Sequence, residues 1–458
     1  MRILFAAAEV DPFAKVGGLA DVAAALPQRL HAIGHDVRVV MPCHRSAQDA
    51  FSTASGHRRL SVRMAGQDHA VEIATVATTG GALVELVQNP HYFDRANVYG
   101  EPDDLVRYQF FCRVILQMIR EEAPPDILHL NDWHTAACAF ALRNLAWSDP
   151  ELRKVASVFT IHNLRYRGPD EFNDLLSQAI YYSDMVTTVS PGYARETLTA
   201  DYGEGLDSLL GLRPHNYRGI LNGLDYDHYN PQTDHHLDTR YDVNSLERRA
   251  VNKDALRDEF GLPASEGPLA GMVTRLTEQK GIDLVLQAVP AMIAADSQLV
   301  VLGDGDDSLK GALRRLEVEH PRHVRLAPRF DDGLAQRIYA GSDVFLMPSR
   351  YEPCGLGQLI AMRYGSVPIG RRTGGLGDTI FDAGEGPEFA TGFLFDEFST
   401  AAFVRALERA TVAFRDKPGW RSLQVNGMTR DFSWNASADR YVETYLDALR
   451  GRGVSTSG

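Results

Sequence analysis

Residues 344–379, VFLMPSRYEPCGLGQLIAMRYGSVPIGRRTGGLGDT, predict a strand, a helix opened by glycine and a second strand in close succession. The apolar run 344–347 is typical of a buried strand, and residues 355–364 carry apolar side chains at helical spacing. Residues 367–369 are again strand-like. A strand, a helix and a further strand form the repeating unit of a parallel sheet that has helices on both faces.

The same alternation continues along the chain in two blocks. The first block has strand-like runs at 3–7, 37–41, 127–130, 158–161 and 186–189, with helical patterns at 19–33 and 109–120. The second has strand-like runs at 270–273, 299–302, 324–326, 344–347 and 367–369, with helical patterns at 282–295 and 309–319. We therefore predict an α/β protein with two Rossmann-like, doubly wound domains that face each other across a cleft.

The length of 458 residues also favours two separate cores. The polar segment 231–245 has no apolar periodicity, and we place the inter-domain connection there. This puts the first domain at 1–240 and the start of the second at 241. The small, polar tail 451–458 is predicted to be frayed.

Composition narrows the class of protein and its partners. Hydrophobic residues make up 44% of the chain and charged residues 23%, and no apolar run approaches the roughly 18 residues of a membrane span. The four cysteines are far apart, which argues against a disulfide framework and a zinc site. A net charge of −13 disfavours nucleic acid and anionic membranes as partners. We expect a cytoplasmic protein without a membrane or nucleic-acid partner.

Candidate ligand-binding residues of the second block follow its predicted strands. Glu352 lies in the turn before the 355–364 helix, whose first N–H groups near Gly355 and Gly357 favour a phosphate. Arg275 and Lys280, after the 270–273 strand, are spaced to clamp a diphosphate, although a solvated loop would also explain them. The pair Gly374-Gly375 repeats the glycine-opened arrangement.

The first block has a comparable set. Lys15, Gly17 and Gly18 follow the first strand and open a helix, which suits an anion but also describes an ordinary tight turn. Asp132 and His162 each follow a predicted strand and so lie at the same sheet edge, although a single histidine is more often structural.

Two further motifs have a simpler explanation. The run Asp304-Gly305-Asp306-Asp307 suggests a metal–nucleotide motif, but we interpret it as a loop and an N-cap before the helix at 309. Cys354 has no nearby histidine or lysine in sequence that would favour a thiolate, so we expect it to pack or to line a ligand rather than act as a nucleophile.

Taken together, these motifs resemble those of bacterial glycogen synthase and plant starch synthase. The resemblance covers residues 1 to about 447 and includes KVGGLAD from Lys15, DWH from Asp132, the His162-Asn163 pair, ILNGLD around Asn222, RLTEQKG from Arg275 and PSRYEPCGL around Glu352. It implies the B-type glycosyltransferase fold, with an acceptor domain, a nucleotide-sugar domain at 241–435 and a final segment, 436–458, whose helix crosses back to the first domain. It also implies transfer of glucose from ADP-glucose to the non-reducing 4-hydroxyl of an α-1,4-glucan such as glycogen or a maltooligosaccharide, with retention of configuration, no cofactor and no metal.

The resemblance assigns roles residue by residue. Lys15, Arg275 and Lys280 would neutralise the leaving ADP, Glu352 would bind the donor glucose, and His162 would lie near the developing positive charge. Further donor contacts would come from the following residues: Gly17, Gly18, Asn222, Cys354, Gly355, Leu356, Gly357, Thr373 and Gly374, with Phe330 stacking on adenine. Asp21, Asp132, Asn163 and Tyr99 would line the acceptor side.

The sequence leaves several alternatives open. Ile360 stands where many retaining transferases of this fold carry a second glutamate, and the starch-synthase-like family shares that difference. Ala96-Asn97, in the loop before Tyr99, replaces the Pro-Gly of many relatives, which leaves acceptor preference undecided. A UDP-glucose or short-oligosaccharide transferase, and a non-catalytic glucan-binding scaffold, remain as other functions. The sequence does not decide between a monomer and a homo-oligomer.

Overall fold

The computed structural model describes residues 1–78, 80–169, 174–386 and 388–454. Residue contacts divide the chain into two compact units. The first unit comprises Met1–Gly223 together with Trp434–Gly458, and the second comprises Leu224–Ser433. Residues 455–458 of the predicted frayed tail lie outside the described residues, and its first residue, Gly451, ends the last helix.

The first unit is built on a nine-stranded sheet with the order β3-β4-β5-β2-β1-β6-β7-β8-β9. Its strands are β1 Arg2–Ala6, β2 Asp36–Pro42, β3 Gly56–Met64, β4 Gln67–Ala77, β5 Leu83–Gln88, β6 Ile127–Asn131, β7 Ala156–Ile161, β8 Met185–Thr188 and β9 Tyr217–Gly219. Its helices are α1 Gly18–Ala32, α2 Gln48–Thr53, α3 Pro90–Phe93, α4 Asp104–Glu121, α5 Trp133–Leu145, α6 Leu175–Tyr182, α7 Pro191–Glu196 and α8 Asp207–Gly211. The last helix of the chain, Trp434–Gly451, also belongs to this unit.

The central strands of this sheet are parallel, but β3, β4 and β5 pair antiparallel at one edge. None of these three strands was predicted from the sequence, and they make the sheet mixed rather than wholly parallel. Strand β3 alternates exposed and buried residues along its second half, which is the pattern of a strand with one solvated face. The β3–β4 turn at Ala65 and Gly66 has positive φ at both residues, as a tight two-residue hairpin requires.

The second unit is a six-stranded, wholly parallel sheet with the order β12-β11-β10-β13-β14-β15. Its strands are β10 Leu269–Val273, β11 Gln298–Leu302, β12 Val324–Ala327, β13 Val344–Met347, β14 Val367–Arg371 and β15 Phe393–Phe395. Its helices are α9 Arg249–Phe260, α10 Ile282–Ala294, α11 Asp307–Glu319, α12 Asp332–Gly341, α13 Gly357–Arg363, α14 Gly374–Thr379, α15 Thr400–Arg415 and α16 Lys417–Thr429; the Trp434–Gly451 helix is then α17. This strand order is that of the doubly wound dinucleotide-binding fold.

The segment predicted as the inter-domain connection, 231–245, is instead packed into the second unit. Leu237 and Tyr241 are buried in a cluster of that unit. The Tyr241 hydroxyl donates to the Tyr364 carbonyl at 2.8 Å, and the Tyr364 hydroxyl donates to Asp234 at 2.7 Å. Single apolar side chains and hydrogen bonds attach this segment to the second unit, which is why its sequence has no apolar periodicity. The boundary between the units therefore falls after Gly223 rather than at residue 240.

Helix α17 is bound to the first unit by a buried polar chain as well as by apolar packing. Tyr441 and Tyr445 are fully buried in the first unit's core. The Tyr445 hydroxyl lies 2.8 Å from Nδ1 of His129 on β6, whose Nε2 lies 2.7 Å from the Thr160 hydroxyl on β7. Burial lowers the pKa of His129 to about 3, so the ring is neutral and its two nitrogens serve one donor and one acceptor role.

Among the described residues, the helices lack the combination of length and apolar character that crossing a membrane requires.

Candidate active site

In each unit the strand order reverses between two adjacent parallel strands, which is where ligands bind in such sheets. The reversal lies between β1 and β6 in the first unit and between β10 and β13 in the second. The loops after these four strands carry Lys15, Asp132, Arg275 and Glu352, respectively. Both sets of predicted residues therefore occupy the ligand-binding position of their own sheet.

The loop after β1 is organised by Glu9, a residue that the sequence reasoning missed. Glu9 is 1% exposed, and its Oε2 accepts hydrogen bonds from the Val16 N–H at 2.5 Å and the Gly17 N–H at 3.2 Å. The pKa of Glu9 is raised from its usual 4.5 to about 7. Burial raises this pKa, and its effect exceeds the opposite effect of the two hydrogen bonds. The only sequence signal was an acid placed directly after a buried strand.

Lys15 and Asp21, predicted for the donor and the acceptor respectively, contact each other. Lys15 Nζ lies 2.6 Å from Asp21 Oδ1 and 3.4 Å from Asp11 Oδ2. The Gly17 N–H, predicted to hold a phosphate, is donated to Glu9 instead. A Cβ at Gly18 would meet no atom within 4 Å, so this position leaves open space beside the start of α1.

Tyr99 belongs to the same cluster. A Cβ built on Gly17 would lie 4.0 Å from the Tyr99 hydroxyl oxygen and 3.8 Å from Glu9 Oε1. The Tyr99 ring also lies 5.3 Å from the ring of His134, which is buried in α5. A predicted acceptor residue is thus next to the glycine turn.

Asp132 is held in an unusual backbone conformation at the start of α5. Its φ is +54° and its ψ is −178°, a combination that residues other than glycine rarely adopt. Its Oδ1 accepts the His162 N–H at 2.8 Å, which ties the end of β6 to the end of β7. Burial, reinforced by the nearby Glu9 carboxyl, raises the pKa of Asp132 to about 7.

His162 is neutral and has a defined tautomer. Burial lowers its pKa to about 3. Its Nε2 lies 2.9 Å from Asn131 Oδ1, and the Asn131 amide is oriented by donating its own N–H to the Ala6 carbonyl at 3.0 Å. Because Asn131 Oδ1 can only accept, Nε2 of His162 carries the hydrogen.

The other two polar residues predicted in this unit lie in the loops after β7 and β9. Asn163 Oδ1 accepts the Arg165 N–H at 3.1 Å and so shapes the turn after His162. Asn222 is 7% exposed, and its Oδ1 has no hydrogen-bond partner among the described residues. A buried amide oxygen without a partner is a candidate ligand contact.

In the second unit, Lys280 and Glu352 form a close ion pair. Lys280 Nζ lies 2.6 Å from Glu352 Oε2, and the Ser349 hydroxyl donates to the same oxygen at 3.0 Å. Glu352 is 5% exposed. Arg275 is exposed, and its side chain has neither a hydrogen bond nor an ion pair within the described ranges. One predicted cation is therefore paired with the predicted catalytic acid, and the other remains available to an anion.

Glycines bring the three loops of this site into backbone contact. A Cβ on Gly281 would lie 2.0 Å from the Pro348 carbonyl oxygen, and one on Gly374 would lie 2.1 Å from the Glu352 carbonyl oxygen. A Cβ on Gly375 would lie 2.0 Å from the Cys354 carbonyl oxygen. The Gly374-Gly375 pair therefore allows close backbone packing against the turn that contains Glu352.

Gln358 is a second residue that the sequence reasoning missed. Its buried Nε2 donates to the carbonyls of Cys354 at 3.1 Å and Gly355 at 2.9 Å, and to the Thr379 hydroxyl at 3.1 Å. These bonds fix the turn that leads through Leu356 into α13. No motif marked Gln358, since its role depends on carbonyls that only the folded turn brings together.

The remaining predictions lie in loops and helix caps. Cys354 is buried, as expected for a packing residue, and Thr373 is the buried N-cap residue of α14. Phe330 follows the edge strand β12 and is 73% exposed. Asp306 caps α11 by accepting the N–H groups of Ser308 at 2.8 Å and Leu309 at 3.2 Å, which confirms the N-cap interpretation.

Two family profiles and several known proteins match this chain. The family profile described as the starch synthase catalytic domain matches residues 2–211, and the one described as glycosyl transferases group 1 matches residues 267–411. The chain is 42% identical to a glycogen synthase of Geotalea daltonii, with 99% of this chain and 100% of that protein covered. It is 40% identical to a glycogen synthase of Thermotoga maritima, with coverages of 98% and 99%.

The chain belongs to the glycogen synthase family.

Solved structures give the same result for the fold. The catalytic domain of starch synthase IV from Arabidopsis thaliana, solved with bound ADP and acarbose, is 35% identical in sequence to this chain and superimposes with a TM-score of 0.90. The match covers 98% of this chain and 99% of the starch synthase chain. Sucrose-phosphate synthase from Thermosynechococcus elongatus shares the fold, with a TM-score of 0.65 and 20% sequence identity. The match covers 98% of this chain and 99% of the synthase chain. The predicted family and the two-domain α/β fold are confirmed, and this member of the glycogen synthase family is a glycosyltransferase.

Proposed function

We propose that this member of the glycogen synthase family transfers glucose from ADP-glucose to the non-reducing 4-hydroxyl of an α-1,4-glucan, with retention of configuration and release of ADP. The observation that carries the proposal is the arrangement of Arg275, Lys280 and Glu352 at the strand-order reversal of the second unit. The relative of known structure that carries ADP and acarbose supports the choice of nucleotide and of glucan.

The leaving diphosphate is the group that most needs positive charge. As its bond to glucose breaks, negative charge accumulates on the phosphates, and guanidinium and ammonium donors stabilise it strongly where water is excluded. Arg275 offers an unpaired guanidinium, whereas Lys280 must share its charge with Glu352 at 2.6 Å. In our proposal Lys15 and the backbone at Gly18 and Gly355–Gly357 add to this stabilisation, whereas the Gly17 N–H serves Glu9.

Glu352 has a different task. Its carboxylate is held by Lys280 and Ser349, so it is ordered before any sugar arrives. We assign to it the donor-glucose hydroxyls and the positive character that develops at the anomeric carbon. Cys354, Leu356, Thr373 and Gly374 line the donor side in the same proposal, and the exposed ring of Phe330 stacks on adenine.

The first unit supplies groups suited to an uncharged acceptor. Burial raises the pKa of Glu9 and of Asp132 to about 7, so both carboxyls are partly protonated near neutral pH, and the His162 ring is neutral. Sugar hydroxyls both donate and accept, and such groups can serve both needs. We assign Asp21, Asp132, Asn163 and Tyr99 to the acceptor, and His162 and Asn222 to the donor sugar.

Retention without a covalent intermediate is the mechanism we propose. A double displacement needs a second carboxylate placed as nucleophile, and the motifs shared with the family assign no residue to that role. The acceptor hydroxyl then attacks on the face that the phosphate leaves, and the phosphate oxygen takes its proton. We propose that this proceeds without a metal or other cofactor, in the cytoplasm, in a monomer or a homo-oligomer.

The test is incorporation of labelled glucose into glycogen from ADP-glucose and, in parallel, from UDP-glucose, each with and without EDTA. We expect fast incorporation from ADP-glucose that EDTA does not change. Preference for UDP-glucose would overturn the nucleotide assignment, and loss of activity in EDTA would overturn metal independence. No incorporation from either donor, with glycogen still bound in a sedimentation assay, would favour a glucan-binding scaffold.

A further inference from the structure

The first unit contains a groove that the proposed reaction does not use. Its volume is about 810 Å³, and it is bounded by β3, α4, α5 and α6. A volume of this size is within the range of small-molecule sites in proteins. None of the residues that the sequence analysis assigned to donor or acceptor lines it.

The lining of the groove has a charge opposite to that of the chain. The whole chain has 60 acidic and 47 basic residues. Arg63, Arg113 and Arg120 line the groove, and no Asp or Glu does so among the residues the structure describes. Such a local excess of positive charge on an acidic protein is the electrostatic signature of an anion site.

Two of these arginines have no partner of their own. The side chains of Arg113 and Arg120 make no hydrogen bond or ion pair with any residue in the described part of the chain. Arg63, by contrast, has an acidic neighbour, since its Nη1 lies 4.0 Å from Asp68 Oδ1. Both project from α4 and are seven residues, or two helical turns, apart, which separates their Cα atoms by about 10 Å along the helix. Long, flexible guanidinium side chains at this spacing can reach a common ligand.

The wall between the arginines is apolar. Leu116 of α4 and Phe140 of α5 line the groove, and Phe140 is 40% exposed. The amides of Gln109 and Asn144 add hydrogen-bonding groups to the lining. A ligand that fits this lining has an anionic group for the guanidinium groups and an apolar, ring-like body for Phe140.

We propose that this groove binds a small organic phosphate, with its phosphate held by Arg113 and Arg120 and its apolar body packed on Leu116 and Phe140. One of the helices that form the groove, α5, starts at the candidate active-site loop of the first unit. Helix α5 begins directly after Asp132, and the Cys112 thiol of α4 donates to the His134 carbonyl of α5 at 3.4 Å. The proposal does not depend on the donor or acceptor assigned above.

The test uses 1-naphthyl phosphate as the probe and isothermal titration calorimetry as the readout, on the full chain. The variant Arg113→Gln/Arg120→Gln removes the two unpaired charges. The matched control, Arg315→Gln/Arg405→Gln, removes two exposed arginines of α11 and α15 in the second unit and changes the net charge equally. Circular dichroism and thermal unfolding check that both variants are folded.

We expect the groove variant to bind the probe at least tenfold more weakly than the unsubstituted chain, as the loss of charge-assisted hydrogen bonds predicts, and the control to change less than twofold. Phe140→Ala should weaken binding of 1-naphthyl phosphate but leave that of inorganic phosphate unchanged. Equal affinity in the groove variant and the unsubstituted chain would overturn the proposal. Equal losses in the groove and control variants would also overturn it, because only non-specific charge would then be at work.

Discussion

The loops at the two strand-order reversals share a topology but differ in chemistry. In the first unit the loops after β1 and β6 hold Glu9 and Asp132, two carboxyls whose pKa burial raises to about 7. In the second unit the loops after β10 and β13 hold Arg275 and the Lys280–Glu352 ion pair. Near neutral pH these two carboxyls of the first site are therefore only partly ionised, whereas the three charged groups of the second site sum to a net positive charge.

In our proposal, this difference lets one fold serve two kinds of ligand. The position at the carboxyl ends of the strands is set by the sheet, and the residues that occupy it decide whether it suits hydroxyls or phosphates. Glycines differ in the same way. Gly18 leaves open space at the first site, whereas Gly281 and Gly374 bring backbones together at the second.

The largest expected effect comes from removing the acid of the second site. Glu352→Ala should lower turnover by roughly a thousandfold, because a charge positioned for the transition state is lost. Steady-state kinetics with ADP-glucose and glycogen measure this. Glu352→Gln, which keeps an acceptor for Ser349, should lose turnover with less loss of stability.

Glu259→Gln is the matched control, since Glu259 also forms an ion pair in the second unit, with Arg337 at 2.8 Å. Its turnover should stay within about twofold of the unsubstituted chain, as expected of a surface pair. Near-normal turnover in Glu352→Ala would remove Glu352 from the proposed site.

Substitution of the two cations of the second site should have different effects on stability. Arg275→Ala and Lys280→Ala should each lower kcat/KM by about a hundredfold. Only Lys280→Ala should also destabilise the fold, by about 2 kcal/mol, because it leaves the buried Glu352 without its counter-charge. Urea unfolding measures the difference. Equal stability of the two variants would contradict the contrast drawn between a paired and an unpaired cation.

The last expected effect leaves the proposed chemistry aside and concerns the pH dependence of stability in the first unit. Because the folded pKa of Glu9 is raised from 4.5 to about 7, the native state keeps a proton that the unfolded chain releases, and stability falls as pH rises through this window. Glu9→Gln removes that loss, so its stability relative to the unsubstituted chain should increase between pH 4.5 and 7, by about 3 kcal/mol at most.

Urea unfolding at pH 5 and pH 8 measures this change. Glu151→Gln is the control, since Glu151 is a mostly exposed acid of the same unit, and it should show no such trend. A difference between Glu9→Gln and the unsubstituted chain that is the same at both pH values would show that burial does not raise the pKa of Glu9.

Much of the fold was predictable because parallel strands carry a local signal. Strand β13 was predicted at its observed bounds, and β1, β2, β6 and β10 to within a residue or so, because strands buried on both faces are continuous apolar runs. The hairpin β3–β4 was missed, since β3 is largely polar and the position of the hairpin depends on pairing with β5. The segment 231–245 was assigned to a connection because isolated anchors such as Tyr241 leave no periodic signal.

The sequence by itself determined the family, the two Rossmann-like sheets and the residues that follow their strands, because motif order and strand patterns are local properties of the chain. Only the tertiary structure decided which of those residues meet. It paired Lys280 with Glu352 and Lys15 with Asp21, and it buried Glu9 against the Val16 and Gly17 N–H groups. Charge state and partner depend on burial and on distances between residues far apart in sequence, and no local pattern records either.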